Sequence, residues 1–214
     1  MRRPLRSRQS SWAVALAGAL VRWQVRPNAI SLVSVVFAVL AGGALAGTGT
    51  QALVPRAALL VFAAAMLQLR LLCNLLDGML AIEGSLKTPS GELYNDVPDR
   101  VSDMVILVGA GAGVGWGPWG ATLGWLAAAL AVMTAYVRLL GASIGSPQYF
   151  LGPMAKQHRM AVLTAACLVG ALESILVHPY TGSALGLSLA VIVLGSILTV
   201  ARRLRCIAAD LAGR

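Results

Sequence analysis

Asn74, Asp77, Asn95 and Asp99 are the residues of this chain whose types and spacing suit hard-cation and phosphate chemistry. The first two are three apart and the last two four apart, so each pair shares one face of a helix. They belong to the stretch NLLDGMLAIEGSLKTPSGELYNDVPDRVSD, Asn74 to Asp103, which contains six of the eight acidic residues: Asp77, Glu83, Glu92, Asp96, Asp99 and Asp103. Between the pairs, EGSLKTPSG is rich in Gly, Ser and Pro and predicts a tight connection. Two adjacent antiparallel helices joined there would aim four oxygen-bearing side chains at one point. Hard cations such as Mg²⁺ take carboxylate and carbonyl oxygens and commonly bridge to substrate phosphates. Taken singly, Asp77, Glu83 and Glu92 read as solvated helix-end charges paired with Lys87 and Arg100. Their combined spacing favours a metal and phosphate site.

The elements that must position these residues are membrane helices. With 58% hydrophobic residues, 12% charged residues and a mean hydropathy of +0.78, the chain is too apolar for a soluble domain. About 20 apolar residues cross about 30 Å of hydrocarbon. Six such windows are predicted: Asn28 to Gly47, Leu53 to Ile82, Glu92 to Val114, Ala121 to Ala142, Met160 to Val177, and Ala184 to Leu204. The fold class is therefore an all-α integral membrane protein with six transmembrane helices. Ser11 to Val25 is too short to span and has Trp12, Arg22 and Trp23 to anchor it, so it predicts an N-terminal interfacial amphipathic helix. Residues 1–26 form a basic N-terminal segment, and 27–214 the six-helix domain.

Charge sets the orientation. GTGTQALVP, GVGWGPWG and HPYTGS hold almost none, whereas MRRPLRSR, Arg22, Arg26, Lys87, Lys156, Arg159 and ARRLR gather on the other side. Short basic loops stay cytoplasmic, so both termini and the acidic stretch are expected there. The net charge of +9 follows that topology and does not call for nucleic acid. Cys73, Cys167 and Cys206 form no CxxC pair, and predict neither a disulfide framework nor a zinc site. Fifteen arginines against two lysines, with abundant Ala, are a weak sign of a GC-rich bacterial genome and do not by themselves set a location; a bacterial cytoplasmic membrane is the expected one. A second polar cluster is Arg138 in AYVRLLGAS with Lys156, His158 and Arg159 in GPMAKQHRM. These cations suit an acceptor phosphate; alternatively Arg138 snorkels and the others are positive-inside loop charges. His158 reads as a solvated loop residue.

The acidic stretch resembles the signature of the CDP-alcohol phosphotransferase family: Asp, two residues, Asp-Gly, two residues, Ala-Arg, eight residues, Gly, three residues, Asp, three residues, Asp. Asp77-Gly78, Ala81, Gly91 and Asp99 fall at that spacing, with Glu83 to Ser90 as the eight-residue gap. The six-span pattern and PNAIS, Pro27 to Ser31, are also similar to that family. Asn74, Asn95 and Ile82 stand where the signature has Asp, Asp and Arg. Each Asn keeps a carbonyl oxygen but removes a negative charge, so a pair of divalent ions would be held less well.

The resemblance implies transfer of a phosphoalcohol group from a CDP-diacylglycerol-like donor to an acceptor hydroxyl in phospholipid biosynthesis, with release of CMP. It implies Asp99 as the catalytic base, and Asn74, Asp77, Asn95 and Asp99 as ligands of Mg²⁺ or Mn²⁺. It further implies Asp77, Gly78, Ala81 and Gly91 at the CDP moiety, and Arg138, Lys156 and Arg159 at the acceptor. Membrane lipids and, as one assembly, a homodimer are the implied partners. Two other classes remain open: a relative that binds CDP-lipid without turnover, to which Asn74, Asn95 and Ile82 lend support, and a small transporter. The clustering of acids at one face, rather than at the midplane, speaks against transport.

Overall fold

The computed structural model describes residues 10–50, 55–83, 91–177 and 180–213, without the side chains of residues 81–83, 91 and 92. The described residues form seven helices: α1 (Ser11–Arg22), α2 (Pro27–Gly47), α3 (Arg56–Glu83), α4 (Gly91–Gly113), α5 (Pro118–Ser143), α6 (Lys156–Leu176) and α7 (Ser183–Ala212). Pro27 and Pro118 open their helices, where a fixed φ and a missing N–H cost nothing. α7 runs past the expected end at Leu204 to Ala212. Residues 1–9 and Lys87 lie outside the described residues.

Five helices are long and apolar enough to cross a membrane: α2, α3 over Arg56–Leu80, α5, α6 and α7. α4 has the length, at 23 residues, but Asp96, Asp99, Arg100 and Asp103 occupy its first half. It is flanked by α2 and α5. Neighbouring contacts run α2 to α3, α3 to α6, α6 to α7, α7 to α5, α5 to α4 and α4 back to α2, closing a ring of six helices in non-sequential order. The expectation that the helices bearing the two acidic pairs pack side by side is therefore corrected. α3 and α4 each pack along α2 and lack an extensive backbone contact with each other. The space between them is available to side chains and to a ligand.

The α2, α4 and α5 seams close on glycine. A Cβ on Gly109 would meet the Gly42 carbonyl oxygen at 2.2 Å, and one on Gly113 the Leu45 carbonyl oxygen at 2.1 Å. Two residues after Gly109, a Cβ on Gly111 would meet the Gly120 carbonyl oxygen at 2.6 Å and the Gly124 Cα at 2.7 Å. One helix thus presents small residues to two neighbours, as membrane helices do when backbones approach closely. At the same end, Thr48 Oγ1 donates to the Gly113 carbonyl at 3.1 Å and Trp116 Nε1 to the Thr181 carbonyl at 2.7 Å. Glu173 accepts from the Ser183 and Ala184 N–H groups at 2.9 and 3.0 Å, capping the start of α7. The weakly charged loops are gathered here, and the acidic pairs lie at the opposite end of the ring.

α1 is the expected short helix. Its Ala13 and Ala17 are buried with Cys73, Leu76 and Leu80 of α3, while Trp12 and Trp23 stay exposed. It rests on the end of α3 that carries Asn74 and Asp77.

Gly109→Ala should destabilise the purified protein by about 1–3 kcal/mol through backbone displacement. Gly43→Ala, where an added Cβ meets nothing within 4 Å, should leave stability unchanged or raised. Thermal unfolding in detergent checks the pair.

Candidate functional site

α3 contributes Arg70, Asn74, Asp77 and Gly78, spaced so that Arg70 and Asp77 lie two turns apart on one face. Arg70 and Asp77 are buried, so Asp77 is not a solvated helix-end charge. Ser31 Oγ on α2 donates to Asp77 Oδ2 at 2.8 Å, which gives the PNAIS segment a direct place in the site. The buried Asn74 Nδ2 has no hydrogen-bond partner among the described residues.

α4 contributes Asn95, Asp96, Asp99, Arg100 and Asp103. Asp99 Oδ1 accepts from Lys156 Nζ at 2.5 Å and lies 3.7 Å from Arg70 Nη2; its Oδ2 lies 3.8 Å from Arg100 Nη2. One turn deeper, Asp103 is fully buried between two guanidiniums: Oδ1 accepts from Arg70 Nη2 at 2.8 Å and Oδ2 from Arg159 Nη2 at 2.9 Å. Arg70 Nη2 also donates to the Asp99 carbonyl at 3.3 Å, and Arg159 Nη1 to Thr134 Oγ1 and the Met154 carbonyl at 3.2 and 3.0 Å. Charge-assisted bonds of this length are the strong ones. Together they tie α3, α4, α5 and α6 at one level.

Above this layer lies a cavity of about 1040 Å³. Asn74, Asp77, Gly78, Asn95, Asp99, Arg138, Lys156 and Arg159 all line it, so eight of the ten residues singled out in the sequence share one space. Ala81 falls in the last turn of α3 and Gly91 opens α4; their side-chain surroundings lie outside the described residues. The two other cations differ from each other. Arg159 is 1% exposed and committed to Asp103, whereas Arg138 keeps 22% of its side chain exposed, 3.6 Å from Asp96 and over the Phe150 ring. His158 is exposed and its Nδ1 lies 2.7 Å from the Pro153 carbonyl.

No functional role for Arg70, Asp103 or Arg203 follows from the sequence alone. Arg70 and Asp77 seven apart, and Asp99 and Asp103 four apart, were the readable signal for the first two. Arg203 lines the cavity from α7, and donates to the Leu151 carbonyl at 3.0 Å and to the Thr134 carbonyl. The 144–155 loop that supplies Gln148 and Phe150 is fixed by Asp210 Oδ2, which accepts from Ser146 Oγ at 2.7 Å and Tyr149 Oη at 2.6 Å. That hydrogen bond holds the Tyr149 phenol above its ordinary range.

The donor set suits one divalent ion better than a cage of carboxylates. Among the described residues no group of three or more His, Cys, Asp and Glu side chains gathers. Mg²⁺, however, is usually held by one or two carboxylates with substrate phosphates completing the shell. Asp77, with the side-chain carbonyl oxygens of Asn74 beside it and Asn95 across the cavity, is the set that could meet that description.

No family model matches the sequence and no curated protein matches it. The fold does match solved structures. Mycobacterium tuberculosis phosphatidylinositol phosphate synthase (PgsA1) with CDP-DAG bound aligns with a TM-score of 0.74 at 17% identity, over 92% of this chain and 94% of that one. The same enzyme in complex with manganese and citrate aligns with a TM-score of 0.73 at 17% identity, over 91% and 88%. Its apo form aligns with a TM-score of 0.69 at 17% identity, over 90% and 94%. At that identity the likeness shows a shared fold, and it agrees with the family resemblance of the Asp77 to Asp99 spacing.

Removing the carboxylate from the buried layer should be severe. Asp103→Asn leaves the buried Arg159 guanidinium without a counter-charge and Arg70 with only Asp99, at 3.7 Å, and should cost about 3–5 kcal/mol. Asp96→Asn, at a half-exposed pair, should cost under about 1 kcal/mol. Thermal unfolding of both variants in detergent is the check.

Proposed function

We propose that the chain is a membrane phosphatidyltransferase, moving a phosphatidyl group from a CDP-diacylglycerol-like donor to an alcohol that itself carries a phosphate, with release of CMP. The observation that carries this reading is the meeting of the four signature positions and the cationic side chains on one cavity. The shared fold with a phosphatidylinositol phosphate synthase solved with CDP-DAG bound supports it.

In this reading the acceptor hydroxyl gives its proton to Asp99 and attacks the phosphorus that bears the diacylglycerol. The bond from that phosphorus to the CMP oxygen breaks, and CMP leaves. Gly78, with Ala81 and Gly91 from the signature, keeps the helix backbones bare for the nucleotide. Of the four signature positions, Asp77 with Asn74 and Asn95 would hold a divalent ion, Mg²⁺ or Mn²⁺, which when bound would neutralise the pyrophosphate and stabilise the leaving oxygens, while Asp99 keeps the role of base. Arg138, with its half-buried guanidinium on the cavity wall, takes the acceptor's phosphate, and Lys156 pairs with Asp99. Three carboxylates and five cationic side chains line the cavity, a balance that favours a doubly anionic donor together with an anionic acceptor. The basic residues at this end, among them Arg22, Arg26, Arg202 and Arg205, support a cytoplasmic face for the site by the positive-inside rule.

Purified protein given CDP-diacylglycerol, Mg²⁺ or Mn²⁺ and a panel of phosphorylated and neutral alcohols should release CMP, and Asp99→Ala should lower the rate about 10²–10⁴-fold. Donor binding with no CMP from any acceptor would replace the enzyme by a CDP-lipid-binding protein.

Arg138→Ala should raise KM for a phosphorylated acceptor about tenfold, the order expected for one lost charge-assisted contact. A neutral acceptor should be used as before. Equal loss with both would leave Arg138 a packing residue.

A further inference from the structure

The two halves of the signature site are electrically different. At the α3 half, Asp77 accepts one hydrogen bond from a neutral hydroxyl, Ser31, and the neighbouring Asn74 Nδ2 has no partner among the described residues. At the α4 half, Asp99 is in contact with an ammonium at 2.5 Å and has guanidiniums at 3.7 and 3.8 Å. A dication approaching Asp99 would meet three like charges in contact with it, whereas Asp77 has no cation in ionic contact and is reached by Lys156 only at longer range. The two Asn residues lower the formal charge of the four donor positions from four negative to two. One of the two remaining carboxylates is already neutralised by the protein.

Resting on the transferase reading, we infer that this site takes one divalent ion, at Asp77 with Asn74 and Asn95, and that the Lys156 ammonium on Asp99 is a built-in cation in place of a second. Where two ions share such a site, they sit about 3.5–4 Å apart and clamp both the attacking and the leaving oxygens. Lysine suits the substitution because its ammonium is a compact point charge on a flexible stem, unlike the planar fork of Arg. Lys156 can hold this place because it is the first residue of α6. Arg159, one turn on, is fixed by Asp103, which directs this end of α6 toward α4. Lys156 is then a positioning and charge-supplying residue at the reacting phosphate, and not only a clamp for the acceptor. Its charge cannot be removed by a chelator.

Mn²⁺ titration of the full chain in detergent, followed by electron paramagnetic resonance, tests this without turnover, because two adjacent Mn²⁺ ions couple magnetically and a single ion gives an isolated six-line spectrum. The wild type should bind one uncoupled Mn²⁺. Asn95→Asp should bind one, about tenfold or more tightly, since added ligand charge raises affinity. Asn95→Asp combined with Lys156→Gln should bind a coupled pair. A coupled pair in the wild type or in Asn95→Asp alone, or no Mn²⁺ in the wild type, would overturn the inference. So would a double variant that stays at one ion. If the double variant does not fold, the first two spectra still decide. CMP release measured on the same preparations separates the two ideas. One ion with no CMP removes the transferase and keeps the ion arrangement; two ions with CMP does the reverse.

Discussion

A single carboxylate, Asp103, holds the functional end of the molecule together. α3 and α4 carry the site and yet have no extensive backbone contact, so what fixes one against the other is the chain Arg70, Asp103, Arg159. Burying three charges is costly, and such a cluster is a weak source of net stability when compared with an apolar core. Its contribution is geometric. Both carboxylate oxygens are matched at 2.8 and 2.9 Å, and the guanidiniums extend the network to the Asp99 carbonyl, Thr134 and Met154. A slip of one residue in any of the three helices would leave a buried charge unmatched, so register is specified at the level directly beneath Asp99 and Lys156.

The opposite end of the ring works by the reverse means. Glycines at 42, 109, 111, 113, 120 and 124 remove the side chains between α2, α4 and α5, and the backbones close until carbonyl oxygens stand where a Cβ would be. Small residues at one end and long charged residues at the other leave room for the cavity at the charged end. Under the proposed transfer, a lipid-linked nucleotide would use that asymmetry: polar volume for the nucleotide at one end, and a sealed bundle below it. α1 adds to the wall, because Ala13 and Ala17 seat it on α3 and Trp12 reaches the cavity.

Much of this could be read from the sequence. Approximate helix bounds followed from apolar length, and the face shared by Asn74 and Asp77, or by Asn95 and Asp99, followed from helical spacing; the start of α5 at Pro118, inside an expected loop, did not. Nor did the order of helices around the ring. Sequential neighbours joined by a short loop are usually adjacent, and here α3 and α4 are separated across the cavity because both prefer α2, whose small residues Ala38, Ala41 and Gly42 admit them. The pairing of Asp103 with Arg159, 56 positions away, has no local signature either. Arg159 looked like a positive-inside loop charge because a buried cation and a solvated one are the same letter. Only the position of a counter-charge on another helix separates them. Asp77 and Arg138 were ambiguous for the same reason, and burial decides the first.

Asn at 74 and 95, where the resembled signature has Asp, would be hard to understand if the site had the charges of a carboxylate cage. It does not. Asp99 stands among Lys156, Arg70 and Arg100, and the first of these is close enough to act with it as one neutral unit. Adding carboxylates at 74 and 95 to a site with that internal cation would raise the cost of burying them, since an unmatched charge in a low-dielectric cavity is far more expensive than a neutral amide. An amide still offers its carbonyl oxygen to a cation and asks for no counter-charge when none is bound. Asn74 and Asn95 are therefore consistent with Lys156 being where it is. The three residues read as one electrostatic arrangement and not as separate losses.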